Sequence, residues 1–126
     1  MKLSNQDKEP TFWKTLDELV NSCPLVIDRP RGTVHPRYPD WIYPIDYGYL
    51  SGTITGDGSG VDAWIGSEEP KQLDSILLTV DLLKKDIEVK LLLGCTEVET
   101  LVILDFLNTK QMTAIIVPRS KTHNNQ

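Results

Sequence analysis

The sequence predicts a mainly β protein, a small closed β-barrel with two flanking α-helices. Three observations lead there. Short apolar runs bounded by Gly, Pro or charged breaks recur at residues 25–27, 61–65, 75–83, 87–93 and 114–117. Only two segments, 11–22 and 96–107, carry apolar residues at helical spacing or a helix-start signal. A chain of 126 residues holds one core and not two, so a single domain is expected over 1–126, with polar tails at about 1–10 and 119–126.

Taken in order, residues 11–22 read as a helix with Phe12, Leu16, Leu19 and Val20 on one face, Thr11 as N-cap and Pro24 beyond the end. A short strand at 25–27 stops at Arg29-Pro30. Residues 28–48 then hold Pro30, Pro36, Pro39 and Pro44 together with Gly32 and Gly48, a density that forbids a helix and predicts an ordered, winding segment. Tyr43, Tyr47 and Tyr49 alternate, as three rings on one strand face would. The strand at 61–65 follows a Gly-rich turn. Strands at 75–83 and 87–93 are joined by the Lys84-Lys85-Asp86 break, which suggests a hairpin. The second helix opens with Thr96 as N-cap and Glu99 in the capping-box position, and is expected to bury Val98, Leu101, Val102 and Phe106. The last strand, 114–117, ends at Pro118. Trp13, Trp41 and Trp64 read as core or interface residues.

The net charge of −5 and pI of about 4.9 argue against a nucleic-acid partner or an anionic membrane surface. Cys23 and Cys95 show no metal or redox spacing and fit a reducing compartment as small apolar residues. The first ten residues lack an apolar h-region, and no run approaches the roughly 20 residues of a spanning helix. A cytoplasmic protein without a membrane partner is expected.

Chemistry concentrates between Asp28 and Gly66. Asp57 and Asp62 flank a turn of sequence Gly-Asp-Gly-Ser-Gly-Val-Asp. Its plainest role is a β-turn with Asp as local acceptor. The sharper one is an oxygen-rich pocket for a hard cation, completed by Asp86 and Glu88 across the fold. Arg29, Arg31, Arg37 and Lys90 gather in the same region of an acidic chain, where Arg forks and a Lys point charge suit phosphate oxygens as well as they suit solvent. His35 is either a ligand or a structural ring. No Walker-type loop and no dinucleotide fingerprint occurs.

The compound motif Tyr43-Pro-Ile-Asp-Tyr47-Gly-Tyr49 followed by Gly56-Asp-Gly-Ser-Gly-Val-Asp62 resembles the soluble inorganic pyrophosphatases of family I over about residues 25–66. The resemblance implies an OB-like five-stranded barrel, Mg²⁺ (with Mn²⁺ as a substitute), and hydrolysis of inorganic diphosphate to two phosphates. By position it makes Asp57 and Asp62 metal ligands and, with Tyr47, the catalytic group. It makes Arg37 and Tyr43 phosphate-binding residues, and turns Glu88-Val89-Lys90 into a metal-ligand carboxylate and a phosphate-binding lysine, with Asp86 nearby. Asp28 matches the acid that ends the first strand, and Arg29 joins the substrate-binding set. Homo-oligomers occur among such proteins. Ser59 stands where the family carries the aspartate beside the nucleophilic water, and a hydroxyl does not accept a proton near neutral pH as a carboxylate does. A strand pair after Tyr38 and a late Tyr-Lys pair are also missing. Two further readings therefore stand beside hydrolysis of diphosphate: a non-catalytic phosphate- or diphosphate-binding relative, and a hydrolase of another small phosphoanhydride.

Overall fold

The computed structural model describes residues 4–120. Its elements are α1 (Asn5–Ser22), β1 (Leu25–Arg29), β2 (Asp46–Leu50), β3 (Val61–Ile65), β4 (Leu73–Asp81), β5 (Asp86–Leu93), α2 (Glu97–Leu107) and β6 (Met112–Pro118). The strands form one six-stranded sheet in the order β1-β2-β3-β5-β4-β6. All neighbours run antiparallel except β3 and β5, which are parallel.

The expected closed barrel is corrected: the sheet stays open, with β1 and β6 at its edges. Side-chain alternation gives the reason. Leu50, Ala63, Ile65, Leu91, Leu93 and Ile76 form one cluster with Trp13 of α1, while Trp64, Leu92, Leu77 and Ala114 form another with Ile103 and Leu107 of α2. Each face of the sheet has its own helix, so no face needs to be folded inside a barrel. Two-sided burial also explains why β5 ends in the unbroken run Leu91-Leu92-Leu93, all three about 1 % exposed.

Several boundaries differ from expectation. Helix α1 begins at Asn5 and accommodates Pro10 at the loss of one backbone bond, so Thr11 is interior and not an N-cap. Trp13 is its buried anchor, with Leu16 and Val20 beside it, whereas Phe12 is exposed. Arg119, expected in a loose tail, grips Asp17 of α1 with two bonds of 2.9 and 2.7 Å. The remainder of that tail, 121–126, and residues 1–3 lie outside the described residues.

Helix α2 has the expected cap. Thr96 accepts from Glu99 N–H, and the Glu99 carboxylate accepts from Thr96 N–H at 2.8 Å. Its buried side is Ile103 and Leu107, with Phe106 partly covered, while Val98, Leu101 and Val102 face solvent. The helix is apolar almost all round, so periodicity alone does not select a face.

The winding segment is a small hairpin: Tyr43 N–H bonds Thr33 O at 2.9 Å, Gly32 N–H bonds Tyr43 O at 2.8 Å, and Val34 bridges Ile42. Tyr43 therefore precedes strand β2 and is buried toward α2, leaving Tyr47 and Tyr49 as the alternating pair. Among the described residues no helix is long and apolar enough to cross a membrane.

Candidate functional site

Three adjacent strands position the site on the α2 face. Tyr47 lies opposite Trp64 across β2 and β3, and Tyr49 lies opposite Asp62. The parallel register of Ala63 with Leu91 then sets Lys90 beside Asp62. In β5 the period of two puts Glu88 and Lys90 on that same face.

At its centre is the Lys90 ammonium, in a residue only 8 % exposed. Its Nζ donates to Tyr47 Oη at 2.7 Å, to Asp62 Oδ2 at 3.2 Å and to Glu88 Oε1 at 3.2 Å. A lysine has three donors, and here three oxygens receive them. The Tyr47 hydroxyl in turn donates to Asp62 Oδ2 at 2.8 Å. Burial, then the neighbouring Asp62 charge, push the Tyr47 phenol far above its ordinary value. It therefore stays protonated and works as a donor, never as a base. Its ring packs on Trp64 at 4.7 Å and on Tyr43 at 5.4 Å.

Lys84 extends the network outward. It pairs with Asp86 at 3.5 Å and with Glu88 at 3.7 Å. Burial lowers its affinity for the proton, and Glu88 and Asp86 more than offset this, so its pKa rises. Sequence reading treated Lys84 only as a turn residue. The signal available was its spacing, two and four residues before two acids. The turn is itself built by Asp81, whose carboxylate accepts from Leu83 and Lys84 N–H.

On the other side, burial raises the Tyr43 phenol above its usual value while the Arg29 guanidinium beside it pulls the opposite way. His35 stacks on Trp41 at 5.2 Å and accepts from Arg37 N–H at its Nδ1. Partial burial, then Arg29, Arg37 and Lys84, lower its pKa.

Asp57 stands apart. It is fully exposed, and its Oδ1 accepts from Thr55 Oγ1 at 2.5 Å and from Ser59 N–H at 2.9 Å. Those bonds, Thr55 first, lower its pKa. This is the plain turn role, with Thr55 N–H closing the loop on Ser59 O at 2.6 Å. The structure thus brings together Tyr47, Asp62, Glu88 and Lys90, links Asp86 through Lys84, sets Arg29 at Tyr43, and leaves Asp57 in its own turn.

Among the described residues no three His, Cys, Asp or Glu side chains converge as a metal cage. The donor set still suits Mg²⁺, which takes one or two carboxylates and completes its shell with water and substrate phosphate. The side chains of Asp62 and Glu88 are 32 % and 28 % exposed, and Asp86 Oδ1 is buried with no partner. Cys95, half-buried, is not such a donor: burial and the Glu99 charge raise its thiol to about 12.

No family model matches the chain, and no curated protein matches it. Among solved structures, an inorganic phosphatase from Anaplasma phagocytophilum is similar, with 18 % identity and a TM-score of 0.48, over 75 % of this chain and 81 % of that one. A likeness of that degree identifies neither family nor activity.

Proposed function

We propose that this protein binds diphosphate beside Arg29, Tyr43 and Lys90 and hydrolyses its phosphoanhydride with Mg²⁺, Mn²⁺ serving in its place. The observation that carries this reading is the buried Lys90 ammonium, held at once by the Tyr47 phenol and the carboxylates of Asp62 and Glu88. Its three donors are satisfied within the network, so Lys90 offers phosphate the field of a fixed charge partly offset by two carboxylates, and a direct bond requires it to exchange one of those partners for a phosphate oxygen.

Each residue then has a task. Lys90 and Arg29 neutralise the phosphate oxygens, and the exposed Arg37 adds a further positive charge. Tyr47 holds Asp62 in place through its hydroxyl, and Tyr43 offers its phenol as a donor. Asp62 and Glu88 would hold Mg²⁺, which would supply charge neutralisation and acidify water. Asp62 Oδ1, the carboxylate oxygen that neither Tyr47 nor Lys90 engages, takes the proton of the attacking water, because Ser59 has no carboxylate to do so. Stabilisation of the transition state comes from fixed charge and positioning.

The test is phosphate release from inorganic diphosphate in Mg²⁺ and then Mn²⁺, with Asp62→Asn as control. Metal-dependent release that the variant lacks supports the hydrolase. Absence of release from the wild type removes it. One observation favours a second reading, a non-catalytic diphosphate-binding protein: Asp57 and Ser59 spend their groups on their own turn. Calorimetric binding of diphosphate without turnover is its signature.

A further inference from the structure

A hollow of about 550 Å³, widely open to solvent, lies against Tyr43. Arg31, Ile42, Tyr43, Pro44, Ile45 and Val102 line it. Mostly apolar walls with a few polar groups, in the range of roughly 300–1,000 Å³, are the build of a site for an organic ligand. Diphosphate is all charge and oxygen, and apolar walls give it nothing. Glu99 also reaches this cavity, but its carboxylate is engaged by the N–H groups of Thr96 and Ser67.

Tyr43 belongs to both places: it lines the cavity, its ring packs on Tyr47, and Arg29 stands beside its phenol. Arg31 follows two residues later on the cavity wall. Ile42 and Val102 are 53 % and 39 % exposed, apolar surface that a flat ring would cover. Arg29 at the phenol of Tyr43, and the apolar lining that Tyr43 shares with Ile42, Pro44, Ile45 and Val102, match a molecule with a phosphate end and a flat organic end.

We propose, resting on the diphosphate reading above, that the substrate is a nucleoside diphosphate, its phosphates at Arg29 and Lys90 and its base in this cavity. In the reaction the oxygen of one water bonds the terminal phosphorus as the bridging P–O bond breaks. The bridging oxygen leaves on the nucleoside monophosphate, the other product is inorganic phosphate, and the water's proton passes to Asp62 and then to solvent.

Calorimetry in Mg²⁺ compares ADP with inorganic diphosphate on the wild type and on Val102→Trp and Ile42→Trp, each of which enlarges a lining side chain. ADP is expected to bind about tenfold or more tighter than diphosphate, the worth of one stacked base. Both variants should bring that ratio down toward one. Diphosphate binding as tightly as ADP, or a ratio unmoved in both variants, overturns the nucleotide assignment and leaves the diphosphate reading intact. Failure of the wild type to bind either ligand overturns both.

Discussion

Lys90 Nζ lies 2.7 Å from Tyr47 Oη, and the same phenol donates its proton to Asp62 at 2.8 Å. One buried cation therefore holds a strand-β2 residue and a strand-β3 residue together from strand β5. Tyr47→Phe keeps the ring on Trp64 and Tyr43 but removes both bonds. It is expected to cost about 1–2 kcal/mol, read as a lower urea midpoint. Lys90→Met should cost about 2–3 kcal/mol, because it leaves two partly covered carboxylates facing each other. It should also abolish diphosphate binding. Equal affinity for diphosphate in Lys90→Met and wild type would remove Lys90 from the site.

Ser59 is exposed, its N–H is used by Asp57 and its carbonyl by Thr55, and its hydroxyl also serves Asp57. Ser59→Asp loses that hydroxyl bond and sets a second carboxylate beside Asp57 in an exposed turn, so it is expected to keep the fold at a cost of about 0.5–1 kcal/mol. A carboxylate there adds a proton acceptor beside Asp57. Phosphate release should rise by about 10²-fold or more, the usual worth of a positioned base. An unchanged rate in a folded variant would show that this turn does not face the substrate.

Glu99 supplies a pH dependence. Burial raises its pKa, but hydrogen bonds from Thr96 and Ser67 outweigh that, and the net value falls below the ordinary 4.5. A carboxyl depressed on folding contributes stability that is fully present above its unfolded value and is lost as pH falls through the folded one. Glu99→Gln should be less stable than wild type at pH 7, and the gap should close on acidification below about 4.5. Urea midpoints at pH 7, 5 and 3 measure it. A gap that stays constant would mean the charge contributes nothing.

Gly48 shows how much was legible in the sequence. Its place between Tyr47 and Tyr49 marks it as part of a motif, yet its reason is tertiary. A Cβ there would fall 1.9 Å from the Val26 carbonyl oxygen on β1. Gly48→Ala is expected to cost about 3 kcal/mol or more, since backbone and not a side chain must move. Wild-type-like thermal stability would show that the β1–β2 approach is looser.

What the sequence made legible was local: the capping box of Thr96 and Glu99, the hairpin break at Lys84, and the gathering of Tyr47, Asp62, Glu88 and Lys90. The first two are set by neighbours within a few residues. The last followed from motif resemblance, and strand register realised it. Hidden was whatever depended on the far side of an element. Trp13 displaced Phe12 because α1 packs on one sheet face, and α2 showed solvent the apolar residues its pattern could not distinguish. The open sheet was hidden for the same reason: nothing local says that both faces will be covered.

Edge strand β6 carries a guard whose loss is testable. Asn108, at the C-cap of α2, accepts from Ala114 N–H at 3.2 Å and donates to Ala114 O at 3.3 Å and to Leu104 O at 2.7 Å. One side-chain amide thus imitates a neighbouring strand at one position of the free edge while closing the helix end. An uncovered edge is a template for pairing with another chain. Asn108→Ala should cost about 1–2 kcal/mol for the lost cap and edge bonds. It should also raise the concentration-dependent association seen by sedimentation. Asn108→Asp serves as comparison, because it keeps the acceptor for Ala114 N–H but loses both donated bonds, and should fall between the two. If Asn108→Ala sedimented as wild type at every concentration, the amide would serve the helix end alone.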